Sequence, residues 1–136
     1  MCGKPWCGVT NVSGMYNLVL QDLQTCEQGY KAQDNTTYNL KGFRWCENLA
    51  GFSLINTVVP PSSGQWSFGW CALLGGDMNS NAADGQYQNV NSNHPGGANL
   101  LFGDGSVHFI KSSVAYRTYW ALGTRAGGEV ISADQY

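Results

Sequence analysis

The chain has 136 residues, enough for one domain with a modest core. Apolar residues make up 43% and charged residues only 12%, about half the usual share, and the net charge is −2. This excludes electrostatic capture of nucleic acid, since no basic stripe exists, and no run of apolar residues is long enough to span a membrane. The polar surface must come from Asn, Gln, Ser, Thr and Gly, and 18 glycines favour a turn-rich β architecture over a helical bundle.

The first 14 residues read as an irregular arm, and their start, MCGKPWCG, lacks the apolar core of a secretory signal. Ser13 can cap a helix over about Met15–Gln28. Met15, Leu18, Val19, Leu23 and Cys26 recur at helical spacing, and Gly29 is positioned as a stop. A short strand at Asn17–Leu20 is the competing reading. The following KAQDNTTYN is a polar loop.

Strands are expected near Phe43–Cys46 and Phe52–Val59, the second ended by Pro60-Pro61, and another within GQWSFGWCALL. GFSLI at 51–55 mimics a prepilin cleavage motif, but the required Glu is missing, Asn56 lies nearby, and the double proline breaks the long apolar helix that such a motif needs behind it. A long polar loop covers about 75–93, of a length that usually serves function or moves.

NHPGGANLLFGDGSVHFI (93–110) then sets apolar Ala98–Phe102, a turn at Asp104-Gly105, and alternating Ser106–Ile110. The reading is a β-hairpin with Val107 and Phe109 on one face and His108 and Ile110 on the other. Ser112 or Ser113 can cap a helix running to about Leu122, with Tyr116, Tyr119 and Trp120 on its apolar side and Gly123 as its stop. A last short strand is expected at Glu129–Ser132.

Five cysteines (Cys2, Cys7, Cys26, Cys46, Cys71) show no C-x-x-C spacing, and with only two histidines a zinc site is a poor fit. Disulfides formed in an oxidising compartment fit better, with one thiol left over and the pairing open.

The stretches NHPGGANLLFGDGSVHFI and YWALGTRAGGEVISADQY resemble the H-X9-DG family of bacterial proteins with prepilin-type N-termini, also called DUF1559. GFRWCENLAGFSLINTVVPPSSG, followed by Cys71, resembles its upstream blocks, and Cys26 matches a usual cysteine. The resemblance covers roughly residues 15–136. It implies an exported, surface-associated, pilin- or pseudopilin-like protein with a β-rich globular part, and a solute-binding role has been suggested for the family by name. The chain departs from the family in having no prepilin leader or long hydrophobic helix, in carrying Ser62 where Asn is usual after the double proline, and in its extra Cys2, Cys7 and Cys46.

His94 and Asp104 raise the question of catalysis. A general base needs a nucleophile beside it, yet there is no G-x-S-x-G and no S-x-x-K. The architectural reading is simpler. Asp104-Gly105 supplies a tight turn, Gly96-Gly97 allows close backbone approach, and His94 hydrogen-bonds to lock the hairpin's entry.

Asp77, Asn79, Asn81 and Asp84 alternate like the start of a calcium loop, but Ala82 replaces its turn glycine and Gln88 its bidentate glutamate. Calcium is therefore the one cofactor to weigh, against a plain solvated loop. Among the tryptophans, Trp45 and Trp120 are expected in the core. Trp66 and Trp70, flanked by glycines, are expected at the surface, for glycans or a subunit interface. Asn11 and Asn35 begin glycosylation sequons, Asn35 in the more open setting.

The expected protein is a single α+β domain (1–136): an antiparallel sheet with two short helices, a pilin-like head lacking the long N-terminal helix. Its expected role is that of an extracellular or cell-surface structural subunit that self-associates into a homo-oligomer or filament. The competing class is a carbohydrate- or solute-binding module, and an enzyme comes last.

Overall fold

The computed structural model describes residues 16–33, 37–38, 55–72, 86–124 and 127–136. It is an α+β arrangement of two helices and two small antiparallel sheets. Helix α1 spans Tyr16–Ala32, so the helical reading of its start holds and the strand alternative does not. It buries Val19, Leu23 and Cys26, the expected i, i+4, i+7 stripe. Gly29 does not stop it. Gly29 is buried at the start of the helix's last turn, and the left-handed residue after that turn is Gln33 at φ 55°. Packing of this face outweighs the roughly 1 kcal/mol helical penalty of one glycine.

The first sheet has the order β1-β2-β3, from Thr37–Tyr38, Trp70–Ala72 and Gln86–Gln88. The outer strands, β1 and β3, lie in stretches that read as polar loops in the sequence. β3 is Gln-Tyr-Gln, without an apolar run, and enters the sheet because Trp70, Cys71 and Ala72 offer it a ladder. Conversely, of the expected strand over Phe52–Val59, residues 55–56 are irregular and 57–59 form bends, and 52–54 lie outside the described residues. Val59, Pro60 and Pro61 are buried there, so this segment packs by side chains.

Cross-strand partners share a face, so Thr37, Cys71 and Tyr87 lie side by side. Helix α1 is tied to this face and its neighbourhood three times. Cys26 and Cys71 form a disulfide with Cα atoms 5.9 Å apart. Tyr87 Oη–H donates to the buried Asp22 carboxylate at 2.9 Å. Glu27 accepts the Ser67 backbone N–H at 2.7 Å and its hydroxyl at 3.1 Å, and pairs with Lys31 at 3.3 Å. Burial and the Asp22 carboxylate both push the Tyr87 phenol well above its ordinary range, so it stays a donor.

The second sheet is the hairpin β4 (Gly97–Leu101) and β5 (Val107–Lys111), within one residue of the expected limits. Helix α2 starts later than expected, at Tyr116, and runs to Leu122. Neither Ser112 nor Ser113 caps it; Ala115 holds the N-cap place without a side-chain bond. Gly123 does end it, with its N–H turned back to the last carbonyls. Its consecutive residues Trp120 and Tyr119 enter different apolar clusters. Trp120 joins Val19, Leu23, Val59, Phe68 and Tyr87, whereas Tyr119 joins Ile110 and Val114. The α2 helix thereby couples the hairpin to the main core. No strand forms at 129–132; a 3-10 turn at Ala133–Gln135 brings Tyr136 onto Phe102 and His108.

Trp66 and Trp70 are corrections. They are 7% and 1% exposed, and Trp66 packs on Phe68 with its indole N–H bonded to the Tyr116 hydroxyl. Neighbouring glycines do not open a site to solvent when the rings between them fill the core. Trp120 is buried as expected, its indole N–H donating to the Val58 carbonyl at 2.8 Å. The expected arm, the strand at 43–46, Trp45, Cys2, Cys7, Cys46, Asn11, Asn35 and the calcium set Asp77, Asn79, Asn81 and Asp84 lie outside the described residues.

Candidate functional site

The motif residues occupy the two ends of the β4–β5 hairpin. At the tip, Gly105 takes φ 87°, and the turn closes through Phe102 N–H to Ser106 O (2.9 Å) and Gly105 N–H to Phe102 O (3.0 Å). Asp104 Oδ1 accepts both the Ser106 backbone N–H at 2.9 Å and the Ser106 hydroxyl at 2.6 Å. These bonds, the hydroxyl first, hold the Asp104 carboxyl below its ordinary value.

Ser106 Oγ also lies 2.9 Å from His108 Nε2. The hydroxyl has one proton, and the carboxylate takes it, so His108 Nε2–H is the donor in this second contact. Phe102 and Tyr136 hold the imidazole edge-on, with ring centres at 4.9 and 5.7 Å. Such a chain is wrong for nucleophilic activation. The carboxylate orients the serine instead of the histidine, and Nε2 has no lone pair to receive the serine proton.

At the other end, Gly97 is required by contact. A β-carbon there would lie 2.1 Å from the Ile110 carbonyl oxygen. Gly96 turns the chain in at φ 85° and accepts the Ser112 N–H at 2.7 Å. His94 is exposed. Its backbone N–H donates to Ser92 Oγ at 3.1 Å, whereas its imidazole takes no hydrogen bond among the described residues. The entry is fixed by the backbone and by Ser62, not by the ring. Ser62 N–H bonds Val90 O at 2.8 Å and its Oγ accepts Ser92 N–H at 2.9 Å. Ser62 has φ 51°, in the left-handed region that, glycine apart, Asn and Asp adopt more readily than Ser.

His94 and Asp104 are thus not brought together. The whole of β4 separates them, and its four residue steps cover about 13 Å. Among the described residues no group of three or more His, Cys, Asp or Glu could hold a metal.

The two faces of the hairpin differ. Ala98, Leu100, His108 and Ile110 pair across one face, turned to Val114 and Tyr119; Ile110 is wholly buried. Asn99, Leu101, Val107, Phe109 and Lys111 pair across the other. There Leu101 is 74%, Val107 63% and Phe109 44% exposed. The alternation at 106–110 announces two faces but not which is covered; both carry apolar residues, and packing against α2 decides.

A small α+β protein whose motif shapes a hairpin with one bare apolar face is therefore the class the geometry defines. The model of the family described as a protein of unknown function (DUF1559), SBP_bac_10, matches residues 17–117, and the chain belongs to that family. No curated protein and no solved structure matches it.

Proposed function

We propose that the chain is an exported, pilin-like structural subunit that self-associates into an extracellular fibre or surface appendage. The observation that carries this reading is the outer face of the hairpin. Leu101 and Val107 stand largely in solvent and Phe109 is partly exposed, on a sheet that among the described residues has two strands, each with an unpaired edge. Exposed apolar sheet faces and open edges are where copies of a chain associate. A net charge of −2 with 12% charged residues repels neighbours weakly. The Cys26–Cys71 bond fits an oxidising, extracellular compartment.

In this reading the protein is not an enzyme, and the histidine-to-aspartate-glycine motif serves architecture. Calcium at Asp77, Asn79, Asn81 and Asp84, and glycans at Asn35 or Asn11, are accessory to it. The test is size in solution by analytical ultracentrifugation, with negative-stain microscopy. The wild type forms large or ordered assemblies, and Val107→Glu reduces them to monomer. A clean wild-type monomer at high concentration refutes the proposal. The family label SBP_bac_10 favours a second reading, a solute-binding module. A monomer whose melting temperature rises with a glycan or calcium supports that instead.

A further inference from the structure

Behind the hairpin lies an open groove of about 350 Å³, bounded by Ile55 and Thr57, by residues 100–103, and by Tyr119 and Leu122 of α2. This volume falls in the range that holds small organic ligands. No charged side chain lines it. Thr57 is turned toward the end of α2, where its side chain fills the place a β-carbon of Gly123 would take. Besides Thr57, the polar side chain of the wall is Tyr119. It is wholly buried, yet among the described residues its hydroxyl has no hydrogen-bond partner. Burial pushes that phenol up to about 12, so it is a neutral donor at ordinary pH. Buried hydroxyls without a partner are costly and rare in folded chains, and one beside a groove points to an acceptor supplied from outside.

We propose that this groove is a binding site for a neutral, largely apolar small molecule carrying one hydrogen-bond acceptor, with Tyr119 as the donor. The hydroxyl is shut off from solvent, so the ligand reaches it by displacing groove side chains. Leu101 (74% exposed) and Ile55 (46% exposed) are the ones with room to move. An anion is disfavoured because nothing in the wall compensates its charge. Leu101 borders both the groove and the outer hairpin face, but Val107 and Phe109 of that face do not line the groove.

The test uses prodan, a neutral naphthalene dye with one carbonyl, titrated by fluorescence into the monomeric fraction of the full chain. Saturable one-to-one binding is expected. Tyr119→Phe, which removes a single oxygen, weakens it about five- to tenfold and shifts the bound emission to the blue as the carbonyl loses its donor. Leu122→Trp fills the groove and abolishes binding, while Val107→Glu leaves it unchanged. Absence of saturable binding overturns the proposal, as does equal affinity in Tyr119→Phe. Loss in Val107→Glu also overturns it, by placing the dye on the outer face. Self-association is measured without dye, so either proposal can fail alone.

Discussion

The Cys26–Cys71 bond closes a loop with a sequence separation of 45 residues and ties α1 to the central strand of the first sheet. Replacing both by alanine restores to the unfolded chain the freedom that the crosslink removes. For a loop of that length the chain-entropy relation gives about 4 kcal/mol at 25 °C. Both residues are 0% exposed, so lost packing adds to the cost. A domain of this size has only about 5–15 kcal/mol to lose. Urea unfolding followed by tryptophan fluorescence therefore shows Cys26→Ala/Cys71→Ala with a much lower midpoint, and with a larger slope as its unfolded state expands. Peptide mapping of the alkylated native protein finds Cys26 and Cys71 unlabelled. A stability loss under about 1 kcal/mol, or ready alkylation of either residue in the folded protein, refutes the reasoning.

Gly97→Ala forces a β-carbon against the Ile110 carbonyl, so the β4–β5 pairing opens; amide exchange at Ala98 and Ile110, which face each other across the ladder, rises while that of α1 is unchanged. Asp104 has a carboxyl lowered from 3.8 by the Ser106 hydroxyl and N–H. Its contribution is present above that unfolded value and is lost as pH falls through the lower folded one. The stability advantage of wild type over Asp104→Asn, read from urea midpoints, accordingly shrinks on acidification below about pH 4. Tyr119 is raised from 10.0 to about 12, and Tyr87 further. A raised phenol stabilises the fold below its unfolded value and loses this as pH climbs toward the folded one. Stability thus falls between about pH 10 and 12, and Tyr119→Phe flattens part of that fall without lowering stability at pH 7.

The hairpin was legible because its signals are local. Asp104-Gly105 dictates a turn whatever surrounds it, and the positions that flank it alternate. Helix α1 was legible from the spacing of Val19, Leu23 and Cys26. Its end was not, because Gly29 is a stop in isolation and a tolerated packing residue in the folded chain. Strand β3 carried no signal, since Gln86-Tyr87-Gln88 becomes a strand only when β2 lies beside it. Trp66 and Trp70 misled through their neighbouring glycines. Tyr119 read as one apolar helix residue among others, and its stranded hydroxyl is visible only in three dimensions.

The order of residues alone settled the family, the antiparallel hairpin with its turn, and the low charge. Each comes from backbone preferences or composition, which act over a few residues. Tertiary structure decided which hairpin face is covered, which two cysteines meet, and that His94 stays far from Asp104. Those outcomes depend on how α1 and α2 pack onto the sheets, and packing is a property of surfaces brought together from distant parts of the chain.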